Sequence, residues 1–185
     1  MTEAQKFFSD SAIAKDKCKL LAEEYEESIR LEKEKVSLFS PENVLDYEDI
    51  ARQIFSPIHI DQETQELNTL ALDDMFNKGL SVNRLKLTLI TDLHLKGEEK
   101  AENDRVVKPD RTYVGMVQAN VCDIRNVTDN VRWFTVYDTS LENDISHADV
   151  CCIYQPSEFT KTQKKALKSR QRSLLQKVFS KIKKP

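Results

Sequence analysis

The run Gly79-Leu80-Ser81-Val82-Asn83-Arg84-Leu85-Lys86-Leu87-Thr88-Leu89-Ile90-Thr91-Asp92-Leu93-His94-Leu95 decides the fold class. Polar and apolar residues alternate along most of it, with Leu85, Leu87 and Leu89 set against Lys86 and Thr88. Successive side chains of an extended chain point to opposite faces, so the pattern predicts a strand with one buried face. The same run carries Ser81, Arg84, Asp92 and His94, all groups capable of chemistry.

Upstream of it the sequence reads as helix. Ala14, Cys18, Leu21, Tyr25 and Ile29 make one apolar stripe at steps of four and three, predicting one long helix over 9–39 capped by Ser9 or Ser11. Ser40-Pro41-Glu42 reads as a restart: serine suits the cap, proline the first helical position and glutamate the positive helix end. A second helix is expected to run to about Arg52, with Val44, Tyr47, Ile50 and Ala51 inward. Ser56-Pro57 ends it or breaks a following short strand, Ile58 to Asp61 could be strand, and a short helix begun by Asn68 or Thr69 precedes the turn Asn77-Lys78-Gly79.

Downstream, polar Lys96 to Arg111 reads as an exposed loop. Tyr113 to Ile124, Arg132 to Tyr137 and Asp149 to Tyr154 read as three more strands. The last is apolar on both faces, which predicts a central place in the sheet. Helices first and then closely spaced strands predict an α+β fold. It has a long N-terminal helix and a second helix, a mostly antiparallel sheet of about four to five strands, and a basic amphipathic C-terminal helix. The expected division is 1–40 for the first helix, 41–156 for the body and 157–185 for the C-terminal helix.

Charge is unevenly placed. Residues 160–185 hold ten of the chain's 28 basic residues and no acidic one, so the remaining 18 stand against 31 acidic residues. An acidic body with a basic end points to an anionic partner. Four cysteines, at 18, 122, 151 and 152, have neither zinc nor secreted-disulfide spacing and read as buried thiols of a cytoplasmic protein. No apolar run approaches the length of a membrane span, and Met1-Thr2-Glu3-Ala4-Gln5-Lys6 does not open a secretory signal.

Three groups of residues are candidates for function. Each histidine has an aspartate two places away, His59 with Asp61, His94 with Asp92 and His147 with Asp149. On strands such pairs share a face, the arrangement of an oriented general base or half a metal site. Arg52, Ser81 and Arg84 could cradle an anionic ligand, since a guanidinium fork matches phosphates and carboxylates. Lys164, Lys165, Lys168, Arg170, Arg172, Lys177 and Lys181 lie along the C-terminal helix, between Leu167, Gln171, Leu174, Leu175, Val178, Phe179 and Ile182. Such a helix can meet a phosphate backbone, an anionic membrane surface or the chain's own acidic body. The sequence has no phosphate loop, dinucleotide fingerprint, nucleophile elbow or zinc-protease motif, and it implies no metal or cofactor.

Arg52 before Ser56-Pro57, the run Leu80-Ser81-Val82 and the run His147-Ala148-Asp149-Val150 resemble an uncharacterised bacterial family, over about residues 50–153. That family has an arginine before a Ser/Pro turn, then Leu-Ser-Val, then His-Ala-Asp/Glu-Ile/Val. Its histidine before the proline has no counterpart here, since His59 follows Pro57. The resemblance implies no known activity; an arginine, a strand serine and a late polar residue are loosely similar to ADP-ribosyltransferase folds.

These readings lead to a cytoplasmic binding or accessory subunit of a larger complex, with protein partners and with nucleic acid contacted through the C-terminal helix. One alternative is a small nucleotide-using or metal-assisted enzyme with Arg52, Ser81, Arg84, His147 and Asp149 at its site. The other is a peripheral membrane protein attached by the C-terminal helix.

Overall fold

The computed structural model describes all residues, Met1–Pro185. It is an α+β fold on one five-stranded antiparallel sheet. The strands are β1 (Asp49–Ser56), β2 (Leu80–Arg84), β3 (Thr112–Asn120), β4 (Phe134–Tyr137) and β5 (His147–Cys152), in the order β3-β1-β2-β5-β4. The helices are α1 (Glu3–Ser9), α2 (Lys17–Glu23), α3 (Tyr25–Leu31), α4 (Ile90–Asp104), α5 (Val121–Arg125) and α6 (Lys161–Val178). A 3₁₀ helix, Thr69–Phe76, begins where Asn68 Oδ1 accepts from the Leu70 amide.

Period-two alternation sets the two faces of the sheet. Ile50, Ile54, Leu80, Val82, Val117, Ala148 and Val150 point to one face. There they form the main core with the 3₁₀ helix, Trp133 and Leu175 and Phe179 from the C-terminal segment. The other face is covered in two pieces. α4 packs Leu93 on Ala51 and Met116, and the N-terminal helices pack Cys18, Leu21 and Leu31 with Tyr137 and Cys151. Between the two pieces the outer face of β2 is open, and Ser81 is exposed.

Four expectations are corrected. The single helix over 9–39 is instead α1, α2 and α3. The α1 start is a capping box between Thr2 and Gln5, the Cys18 amide is taken by Asn77 O at 2.7 Å, and Ser28 Oγ takes the Leu21 carbonyl at 2.5 Å. Those bonds to groups outside the helix line turn the chain, and Ala14 is left exposed.

The second helix does not form. Arg84 claims the carbonyls of Glu42 and Asn43, Arg125 claims that of Val44, and Ser40 bonds Asp138 through its side chain. The carbonyls a helix would use are taken by tertiary partners, and residues 49–56 become β1. In the opening run, only Leu80–Arg84 is strand; Leu85 to Leu89 turn, and Ile90 starts α4, which occupies most of the expected loop. The stripe Leu93, Gly97, Ala101 is the buried face of α4. Finally, β2 takes the centre of the sheet and β5 lies beside it, although β5 is buried on both faces as its sequence suggests.

Both sheet edges are closed by the ends of the chain. Along β3, Met116 exchanges two main-chain hydrogen bonds with Lys183, at 2.9 and 2.8 Å, and the Ser180 amide donates to Gln118 O. Gly115 permits this approach: its φ is +135°, and a Cβ there would lie 2.2 Å from Lys183 O. Along β4, the buried Glu32 carboxylate accepts the Val136 amide at 2.6 Å while Arg125 and Arg132 hold it. Covered edges remove a template for strand addition. The C-terminal helix is thus part of the body, since Leu175 and Phe179 belong to the main core.

Candidate functional sites

β2 and β5 run antiparallel with Ser81 opposite Asp149 and Asn83 opposite His147. His147 therefore lies diagonal to Ser81 on the open face, and its imidazole spans the gap: Ser81 Oγ is 2.7 Å from Nε2. The other ring nitrogen, Nδ1, lies 3.1 Å from the Thr139 carbonyl and 2.9 Å from Thr139 Oγ1. A carbonyl only accepts, so the tautomer with its proton on Nδ1 satisfies the Thr139 carbonyl and leaves the Nε2 lone pair to accept from the Ser81 hydroxyl.

Asp149 completes the cluster. Its Oδ1 is 4.0 Å from His147 Nε2, and its Oδ2 accepts from the buried Lys17 Nζ at 2.7 Å. Burial disfavours charge on Lys17, and the Asp149 carboxylate more than offsets it, so the ammonium is held above its usual range. Gly79 makes room for this carboxylate: its φ is +100°, and a Cβ would stand 2.8 Å from Asp149 Cγ.

The two arginines expected at this site are elsewhere. Arg52 sits between Ile50 and Ile54 on the core face, in register with Val117, while Ser81 sits between Leu80 and Val82 and points the other way. Its guanidinium donates to the carbonyls of Ser81 and Ala71, both at 2.9 Å, and meets no carboxylate. Arg84 is fully buried in an ion cluster with Glu48 and Asp138. Of the five residues expected together, the structure brings together three, Ser81, His147 and Asp149, and places Arg52 and Arg84 elsewhere. Lys17 and Thr139 join them; one had no signal beyond its place beside the apolar stripe, and the other lies between two expected strands.

The three His/Asp pairs do not converge. His59 and His94 stand at the two ends of a row of rings, His59–Phe55–Tyr113–His94, with centroids 5.9, 5.6 and 5.8 Å apart. Asp92 and His94 are on a helix, not a strand. No group of three or more His, Cys, Asp or Glu side chains is placed to hold a metal ion.

The C-terminal cations form the second candidate. Of the ten, only Arg170 and Arg172 reach a carboxylate, those of Asp129 and Asp73. Elsewhere eleven of the other eighteen lysines and arginines do. Lys168 lies over the Phe76 ring, and Arg170 lies over Trp133. Lys164 donates to a main-chain carbonyl, of Ser157. Lys165, Lys177 and Lys181 are exposed and without a carboxylate.

No family model, curated protein or solved structure matches this chain. No helix is long and apolar enough to cross a membrane.

Proposed function

We propose that the protein is a binding or accessory subunit that contacts nucleic acid through the lysines of its C-terminal segment. The observation that carries this reading is the pairing contrast: two of ten cations there have a carboxylate partner, in a chain with 31 acidic residues to offer. Unpaired, exposed ammonium groups keep their full attraction for phosphate and release counterions when they meet it.

The fold favours a phosphate backbone over a lipid surface. A helix that lies in a membrane must present its apolar face to the acyl chains. That face of α6 is spent: Leu175 is buried, and Leu167, Leu174 and Val178 pack on the main core. Recognition is of the backbone, because the C-terminal cations without a carboxylate partner are all lysines, with no exposed aromatic among them for base stacking.

The test uses the full chain, since removing α6 would open the core. Binding to a fluorescein-labelled duplex DNA is followed by anisotropy from low to moderate salt. Four backbone contacts predict a log–log salt slope of about −3.6. Replacing Lys164, Lys165, Lys177 and Lys181 together by Glu is expected to abolish binding at moderate salt while the circular dichroism is unchanged. Absence of binding at low salt, or binding that survives the four replacements, overturns the proposal. Binding to anionic vesicles but not to DNA reassigns the surface to membranes.

A further inference from the structure

The geometry points to a second activity on the opposite side of the sheet: Ser81 is a nucleophile, activated by His147, that accepts an acyl group from an ester and passes it to water. Three features combine at this serine. The serine is exposed while its neighbours in the strand are buried, so its hydroxyl is presented to solvent and to a ligand. Its hydrogen bond runs to a ring nitrogen at 2.7 Å, and the Thr139 carbonyl behind the ring is placed to accept from Nδ1–H, the tautomer that leaves Nε2 free to take a proton. The ring is held by two strands and a turn, not by a mobile loop alone, since His147 begins β5 beside the central strand.

This is the arrangement general-base catalysis asks for: nucleophile and base within hydrogen-bond reach, and a third group orienting the base. It differs from the familiar triad in where the carboxylate lies. Asp149 does not bond Nδ1; it stands 4.0 Å from Nε2, on the serine's side of the ring. Its charge therefore faces the imidazolium once the ring has taken the serine proton, and the carbonyl of Thr139 does the orienting that a carboxylate does elsewhere.

The step balances without any further reagent than water. Ser81 Oγ forms a bond to the acyl carbon as its proton passes to His147 Nε2. The bond from that carbon to the leaving oxygen then breaks, and the alcohol departs with the proton from Nε2. Water attacks the acyl-serine with His147 again as base, which frees the carboxylic acid and restores the hydroxyl. Ser81 is exposed on the outer face of β2, so the substrate class is that of small, sterically accessible esters.

The test is covalent labelling of the full chain with a fluorophosphonate, located by peptide mass spectrometry, alongside hydrolysis of p-nitrophenyl acetate. One adduct on Ser81 is expected in the native chain. It should be lost in Ser81→Ala and slowed by at least about a hundredfold in His147→Gln, the range a positioned base supplies. Ser169→Ala, on the exposed side of α6, should label as the native chain does. No adduct on the native folded chain overturns the proposal. So does an adduct on another serine, or labelling of Ser81 that His147→Gln leaves unchanged. DNA binding is read on other residues, so failure here leaves the nucleic-acid reading standing, and the reverse.

Discussion

Arg52 and Arg84 are two guanidinium groups buried against the same core, on neighbouring strands, with opposite electrostatic histories. Arg84 has every arm of its fork answered: Glu48 takes Nε and Nη2 at 2.8 and 2.7 Å, and Asp138 and the Glu42 carbonyl take Nη1 at 2.8 Å. Arg52 has two carbonyls, and its Nε has no partner. Burial works against the charge of both. At Arg84 the carboxylates more than offset it, and the group is held above its usual range. At Arg52 burial wins over the distant pull of Asp74 and Asp149, and the group is brought down to about 10. The lesson is that a buried arginine can be the hub of a fold or merely a strut, and its charge partners decide which.

The largest effect should come from breaking the hub. Arg84→Met leaves Glu48 and Asp138 buried without a counter-charge, each with 0 % side-chain exposure. It also frees the carbonyls that keep residues 42–43 out of a helix. Removing one partner of a buried pair costs about 3–5 kcal/mol. Urea unfolding of Arg84→Met is expected to show that loss; a loss below about 1 kcal/mol would make Arg84 no more than a strut and erase the contrast with Arg52.

The next effect is on pH dependence, where Arg52 and other cations act on a neighbour. Burial, and after it Arg52, Arg111 and Lys108, bring His59 from its ordinary 6.5 to about 3. The sign follows from the proton count. Below pH 6.5 the unfolded chain binds a proton that the folded chain refuses until about pH 3, so this contribution is present above pH 6.5 and lost as pH falls. The loss is about 1.4 kcal/mol per pH unit, or roughly 2–3 kcal/mol between pH 6.5 and 4.5. Unfolding midpoints of the native chain and His59→Gln at those two pH values should differ by that much in slope. Parallel slopes would mean that His59 is not held neutral.

Much of this architecture is written locally in the sequence, and the misreadings share one physical cause. β3 alternates in period two, β4 is an aromatic and β-branched run, β5 is an apolar one, and Asn68 caps the helix it was expected to cap. The juxtaposition of Ser81, His147 and Asp149 was half legible: period two puts His147 and Asp149 on one face, but only strand pairing brings Ser81 to them. What failed was local reading overruled from a distance. Ser40-Pro41-Glu42 has good helix-start chemistry, yet the carbonyls that follow are claimed by Arg84 and Arg125. Leu85, Leu87 and Leu89 alternate like a strand, yet no partner strand extends past Arg84, and Leu89 is exposed. Arg52 looked like a ligand arginine because nothing local distinguishes the two faces of β1 until the register is known.

The smallest effect tests the strut. Arg52→Met withdraws two donors from the carbonyls of Ser81 and Ala71, at about 1 kcal/mol for each hydrogen bond. It also removes a charge that had no partner in the core, and replacing such a group by an apolar one of similar length is often neutral. The two terms oppose, so stability at pH 7 should move by about 1 kcal/mol or less. The same substitution withdraws one of the cations that depress His59, so the acid slope should become shallower. Those outcomes belong together: a small change at pH 7 with a shallower acid limb marks Arg52 as an uncompensated charge. A loss as large as that of Arg84→Met, with the acid limb unchanged, would show instead that the two carbonyl bonds hold β2 and the 3₁₀ helix in place, and that the two arginines are equals.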